Sequence, residues 1–475
     1  MRIALIEPGP PGFHIYSFIK QIRLGLPLLG ALARARGHEL HIDAENLSEI
    51  DWDDVLGSDL VGISTITSTA IKAYRYATRV QEAGIPVVMG GPHVTFEADE
   101  ALEFCDYVVR GEGEDTLLEL LEVLQGRRDP DTILGLSYHG RGGQHHNPPR
   151  PQRASLDDLP APDLSLVERH DRIHPTPFVS SRGCQYDCEF CCVILMFGRR
   201  VRTVGPEKVI ADLRALKPEG IFFYDDNFVI SKRSTKALLA RMIREELNVP
   251  FSAQIRVDAV CKDGRVDHEL LRLLREAGCE YVYLGLESAN PKTLAAFNKH
   301  QSVSDMAGGL AALNEYEIGT HGMFVFGADD DTPESLGETA DFAIERGLSS
   351  VQFLILTPLP GTRQYRMLRE SGRIFTNNWS LYDGHHVVYW PKRMSPLELQ
   401  EAAFEAHQRF YRLSRIGTYP RYRGMGFLIT HGWPRVPDNR AYLRELRAFT
   451  ATERPPFVTG DGAPASVADQ VDARC

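Results

Sequence analysis

Three cysteines stand close together near the middle of the chain: Cys184, Cys188 and Cys191, in Ser181-Arg182-Gly183-Cys184-Gln185-Tyr186-Asp187-Cys188-Glu189-Phe190-Cys191. Three residues separate the first pair and two the second, and an aromatic, Phe190, precedes the last. Thiolates spaced this way are soft metal ligands. A structural zinc site takes four ligands, and an iron–sulfur cluster that only carries electrons also takes four cysteines. Three thiolates on one loop can hold three irons of a cubane cluster and leave the fourth open, and an open iron is a place for chemistry. Cys192 is a poor fourth ligand, because adjacent side chains diverge, and reads as a packing residue. Structural zinc and unrelated buried cysteines remain the bland alternatives, although no Cys–His pair follows downstream.

The composition narrows the class of protein. At 475 residues the chain is long enough for roughly two to four domains. A net charge of −11 argues against a broad nucleic-acid surface, which needs clustered Lys and Arg. One basic aromatic stretch, Arg409, Tyr411, Arg412, Arg415, Tyr419, Arg421, Tyr422 and Arg423, reads first as a solvated helix face and turn, and second as a patch for an anionic substrate or membrane surface. Cys105, Cys261, Cys279 and Cys475 are scattered, so the eight cysteines are no disulfide framework and point to a reducing cytoplasm. Met1-Arg2 runs directly into a strand, with no signal peptide. The most apolar run, Leu24 to Ala33, is too short and too rich in Gly and Pro to span a bilayer.

The elements that must position the cysteines come in two alternating series. Over residues 1–140, short apolar strands at Ile3–Ile6, Leu40–Asp43, Leu60–Ser64, Val87–Met89 and Tyr107–Val109 alternate with helical patterns such as Leu117, Leu121 and Leu124. That order predicts a doubly wound parallel α/β sheet, Rossmann-like, whose ligands sit at the carboxyl ends of its strands. Small residues cluster there: Ser64-Thr65, Gly90-Gly91-Pro92-His93 and Gly111-Glu112-Gly113-Glu114. They would let a ligand approach the backbone, or would simply make turns. Residues 141–175 read as a linker. A second series starts at Pro177–Ser180 and continues through Gly220–Tyr224, Phe251–Val257, Tyr281–Gly285, Gly322–Phe326 and Val351–Leu356, marking a second domain over 176–375. The Asp329-Asp330-Asp331 run reads as an acidic turn that complements a helix dipole. Residues 376–450 form a mostly helical extension whose Trp379, Tyr382, His385, His386 and Tyr389 either cover the barrel mouth or pack. Residues 451–475 read as a disordered tail.

The cysteine loop, placed after the first of six βα units, resembles the signature of the radical S-adenosylmethionine (radical SAM) enzymes. The resemblance implies a partial (β/α)6 TIM-type barrel. It also implies a 4Fe-4S cluster on Cys184, Cys188 and Cys191, with the open iron chelating the amino and carboxylate groups of S-adenosylmethionine. By motif position, Phe190 of the cluster loop faces S-adenosylmethionine and Glu287 faces its ribose. Phe326 and Gly327 end the segment that lies against adenine. Asp225 and Asp226 are either a helix N-cap and turn or the carboxylates that orient the amino group. Gln254 and Arg256 face the methionine end, because an arginine in a strand buried on both sides needs a partner. The upstream domain resembles the cobalamin-binding fold, with Ser64, Thr65, Gly90, Gly91, Gly111 and Gly113 toward cobalamin. The Asp-x-His-x-x-Gly motif of that fold is absent, and His14 lies in the corresponding loop without its context. Together the resemblances imply a cobalamin-dependent enzyme that makes a 5′-deoxyadenosyl radical. Such an enzyme would methylate an unactivated carbon, or phosphorus, of a small molecule or natural-product intermediate. The implied partners are that substrate and an external electron donor such as flavodoxin or ferredoxin, with no nucleic acid and no integral membrane segment. Radical cyclisation or rearrangement is the alternative, and a non-catalytic sensor the third. A methylthiotransferase acting on transfer RNA is excluded, since the N-terminal domain has only Cys105.

Overall fold

The computed structural model describes residues 1–10, 12, 20–412, 432–452 and 467–472. His14 and the basic residues from Arg415 to Arg423 lie outside them.

The N-terminal sheet holds β1 (Arg2–Glu7), β2 (Glu39–Ala44), β3 (Leu60–Ser64), β4 (Val87–Gly90) and β5 (Tyr107–Val109), all parallel, in the order β2-β1-β3-β4-β5. Their apolar runs are buried on both faces, as a sheet covered by helices requires. An antiparallel hairpin, β6 (Leu136–Gly140) and β7 (Gly143–His146), extends the β5 edge, so the sheet runs past residue 140 into the stretch read as linker. Its second strand is exposed throughout and carries no apolar alternation, which is why the sequence pattern misses it.

Six parallel strands form the second sheet: β8 (Thr176–Phe178), β9 (Ile221–Phe223), β10 (Phe251–Ile255), β11 (Cys279–Glu287), β12 (Gly319–Phe326) and β13 (Ser350–Ile355). Each pairs only with its neighbours in chain order, giving the open six-stranded barrel that the resemblance implies. Helices cover its outside. His268–Glu276 is capped by Asp267 and packs Leu270, Leu271 and Leu274 inward; Pro333–Glu345 starts from a Thr332/Ser335 capping box. Along the strands, fully buried residues such as Ala253, Ile255, Val282, Leu284 and Phe324 face the helices. Half-buried ones of the opposite register, Phe222, Tyr224, Gln254, Tyr283 and Met323, face the lumen.

The C-terminal extension is helical, at Pro396–Phe410, Pro437–Thr452 and Val467–Asp472. The last helix falls inside the tail expected to be disordered. It docks on the N-terminal helix Ala70–Glu82, where Arg75 donates to the carbonyls of Gln470 and Val471.

Candidate active site

The cysteine loop leaves β8 through Ser181–Arg182, a two-residue strand paired antiparallel with Arg202–Thr203. Gly183 then turns with φ +90°, where a Cβ would sit 2.8 Å from the Arg200 carbonyl. Cys184, Cys188 and Cys191 are half-buried free thiols, and a turn closes between the last two, Cys191 N–H donating to the Cys188 carbonyl at 3.2 Å. Phe190 packs edge-on against Phe297, 5.1 Å between ring centres. Asn298 donates to the Asp187 carbonyl, while Arg363 bonds Asp187 and Glu189, so the loop is held from the fourth and sixth βα units. Burial pushes all three thiols up; at Cys188 the cations of Lys299 and Arg256 pull the other way. Three soft thiols on one restrained loop fit the ligand set of a cubane cluster with an open iron.

Around this loop the structure brings several expected residues together and redirects others. Asp226 is exposed, and its carboxylate accepts from the Gly183 backbone at the head of the cysteine loop. Burial and the charge of Asp225 push it up to about 6, against help from the Gly183 backbone and Arg182. Asp225 is different. Its oxygens accept from Ser180 N–H and Oγ, at 3.1 and 3.0 Å, and from Ser181 Oγ, and burial pushes it up to about 6. It clamps the start of the cysteine loop and is turned away from the site. Gln254 lies half-buried on the lumen face of β10.

Arg256 has a partner other than the one expected. Asp258, two residues on, accepts from its Nε and Nη2 at 2.9 and 3.2 Å. The guanidinium also donates to the Lys299 carbonyl and lies 3.7 Å from the ring centre of Tyr186, whose hydroxyl donates to Asp258. A bidentate carboxylate on the same turn satisfies the buried cation, so Arg256 fastens the cysteine loop to β10. Glu287 ends β11 at a bulge with φ +66°, an uncommon conformation for a residue with a side chain. Its carboxylate occupies the space a Gly285 side chain would fill, and Lys299 donates to it at 2.6 Å, both groups about 7% exposed. Phe326 is in the outer register, stacked on Phe353 at 5.0 Å, so its own ring is turned away from the lumen. Gly327, at φ +103°, is pressed by Tyr389 and Leu399 of the C-terminal extension. Asp331 is buried and accepts from the N–H groups of Gly327 and Ala328, while Asp329 pairs with Arg373 and Lys392 and Asp330 with Arg393. The acidic run is therefore an anchor for the extension, and Thr332 does the capping. His386 is held by Asp383 and Asn439 against Trp433 and Tyr442, so that segment packs.

In the N-terminal domain the small residues differ among themselves. A Cβ at Gly91, φ +104°, would lie 2.4 Å from the Thr65 carbonyl, whereas one at Gly90 would meet nothing closer than 3.7 Å. Gly91 thus permits the turns after β3 and β4 to pack backbone against backbone. Thr65 is buried and bonded to Thr69, and the Ser64 carbonyl accepts from Arg23. Gly111, φ +73°, faces open space, and Gly113 precedes the helix Glu114–Leu124. His93 is buried among Thr67, Tyr74 and Glu100, with Trp379 5.1 Å away. That network leaves it with protein partners.

Sequence reasoning missed the groups that join the two sheets. Glu112 accepts from Arg182 at 3.0 Å and Arg202 at 2.8 Å, and Glu114 accepts from Arg182 at 2.6 Å. Burial would raise Glu112, but the two guanidinium groups outweigh it and hold the carboxyl below its ordinary value. Phe96, after β4, fills the space beside Gly361, after β13. Trp379 donates to Glu100. The carboxyl ends of the two sheets therefore face one another. Lys299 and Asp258 carry no local motif, and Glu112 stands in a glycine turn that does not mark its pairing; only proximity in the fold reveals these partners.

Known proteins match the same two units. A model of the radical SAM superfamily matches residues 178–343, and a model of the B12 binding domain matches residues 20–121. An uncharacterised methyltransferase of Pyrococcus horikoshii is 32% identical over 425 residues, 86% of this chain and 91% of that protein. Bacteriochlorophyllide d C-12(1)-methyltransferase of Chlorobaculum tepidum is 28% identical over 76% of this chain and 77% of its own. The solved structure of OxsB, a cobalamin-dependent S-adenosylmethionine radical enzyme, has the same fold: TM-score 0.70 at 15% identity, over 99% of this chain and 78% of that one. The chain belongs to the radical SAM enzymes that carry a cobalamin-binding domain, in their methyltransferase-like branch. The cofactors of that family are a 4Fe-4S cluster, S-adenosylmethionine and cobalamin.

Proposed function

We propose that this chain methylates an unactivated carbon, or phosphorus, of a small organic molecule, working in a reducing cytoplasm with an external electron donor such as flavodoxin or ferredoxin. The observation that carries this reading is the apposition of the two sheets' carboxyl ends, which brings Gly111–Gly113 beside the strand that leads into Cys184. When bound, the cluster supplies the electron that cleaves S-adenosylmethionine and cobalamin carries the methyl group. In this reading Cys184, Cys188 and Cys191 ligate iron. Asp226 orients the amino group and Glu287 the ribose, with Lys299 fixing the Glu287 carboxylate. Ser64, Thr65, Gly90, Gly91, Gly111 and Gly113 face cobalamin. Arg256 and Asp225 hold the loop in place. The lumen residues Phe222, Tyr224, Gln254, Tyr283 and Met323 carry no charge, which supports an uncharged portion of substrate between them. Among the described residues no helix is long and apolar enough to cross a membrane.

The test uses anaerobically reconstituted protein, dithionite, and S-adenosylmethionine labelled on its methyl group, incubated with a metabolite extract. The reading expects 5′-deoxyadenosine together with a labelled small molecule, both lost in Cys188→Ala. 5′-Deoxyadenosine with no transferred label would favour rearrangement, and no cleavage at all would defeat the enzyme reading.

A further inference from the structure

We propose that Glu112 is a positioning residue that sets the separation of the two cofactor loops through the buried cluster Glu112, Glu114, Arg182 and Arg202. This rests on the reading of residues 184–191 as the iron–sulfur loop and of residues 111–113 as a cobalamin loop.

The cluster joins neighbours of the two sites. Glu112 lies between Gly111 and Gly113, and Arg182 is separated from Cys184 by Gly183 alone. Arg182 Nη1 reaches Glu112 Oε1 at 3.0 Å and Glu114 Oε1 at 2.6 Å, and Arg202 Nη1 reaches Glu112 Oε2 at 2.8 Å. Two carboxylates meet two guanidinium groups, so the set is neutral. The side chains are between 2% and 17% exposed. Arg202 also donates to the carbonyls of Phe197 and Arg153, each at 3.2 Å. Phe197 ends the helix Val193–Phe197 that follows the cysteines, so both flanks of the cysteine loop are tied to one carboxylate of the other domain. Charge pairs this deeply buried tolerate little change in distance or angle, and the planar fork of Arg202 adds direction. A surface pair could not do this, because its geometry is loose. A substrate that must meet both bound cofactors depends on their separation, and displacements near 1 Å are costly.

The experiment measures that separation without turnover. Wild-type protein and Glu112→Gln are loaded with iron and cobalamin and reduced, so that cluster and cob(II)alamin are both paramagnetic. Their spin–spin distance distribution is then read by pulsed electron paramagnetic resonance. The expected result is a narrow distribution in the wild type. In Glu112→Gln it becomes measurably wider, with iron content and cobalamin stoichiometry unchanged. A variant as narrow as wild type overturns the proposal even if its melting temperature falls, because the residue is then merely structural. Wild-type protein that loads iron and no cobalamin overturns both this and the reading it rests on. If Glu112→Gln does not fold, Arg202→Lys is judged by the same two outcomes: it keeps the charge and removes the fork that spans Glu112 and the Phe197 carbonyl.

Discussion

In the proposed reading, single side chains carry the ligation and its immediate support. Replacing Cys184, Cys188 or Cys191 with Ala should abolish the cluster's absorbance, because a cubane held by two thiolates is labile. Cys192→Ala should leave most of the iron in place; equal loss there would show the ligand set to be wrong. The Glu287–Lys299 pair yields a second expectation. Both groups are nearly buried, and removing one partner strands the other's charge. Glu287→Gln should therefore cost about 3–5 kcal/mol of stability by urea denaturation, beyond any effect on S-adenosylmethionine binding. Glu287→Gln combined with Lys299→Met should regain most of that loss. No recovery would mean that the pair is not coupled. Glu287 is visible in the sequence as the end of a strand, but Lys299 is not, because an entire helix, Pro291–Ala296, separates them.

At the scale of elements, glycines after parallel strands do different jobs that the sequence prints identically. Gly91→Ala forces a Cβ against the Thr65 carbonyl at a positive φ and should destabilise the apo protein by about 1–3 kcal/mol. Gly90→Ala adds a methyl with ordinary clearance and should leave apo stability near wild type. Chemical denaturation of the two variants side by side decides this; equal losses would remove Gly91 as the special residue of the turn. The barrel strands give the same lesson in register. Alternation assigns Phe324 and Phe326 to the helix-packed face, and the resemblance to a nucleoside-binding segment concerns their backbone alone.

The molecule as a whole is two α/β sheets joined end to end and strapped by the C-terminal extension. Glu97 lies in that joint. Burial and the charges of Glu100 and Asp99 push it up to about 7, against Arg369, and its field also raises Tyr365. The folded protein thus binds its proton more tightly than the unfolded chain does. Its contribution is complete below about pH 4.5 and is lost as pH rises through about 7. Glu97→Gln should melt like wild type near pH 5 and at higher temperature than wild type near pH 8; a constant difference across pH would contradict the assignment. By itself, the sequence determined the three-cysteine loop and both alternating series. These are local properties: three thiols within one loop, and apolar periods that each element carries along its own length. Tertiary structure alone decided the partner of Arg256, the conversion of Asp329–Asp331 into an anchor, and the facing of the two sheets. Glu112 and Arg182 are 70 residues apart, and Trp379 and Glu100 are 279 apart. Opposite charges and hydrogen-bonding groups occur throughout the chain, so nothing local selects one pair, and only burial of both partners in the same joint makes that pairing obligatory.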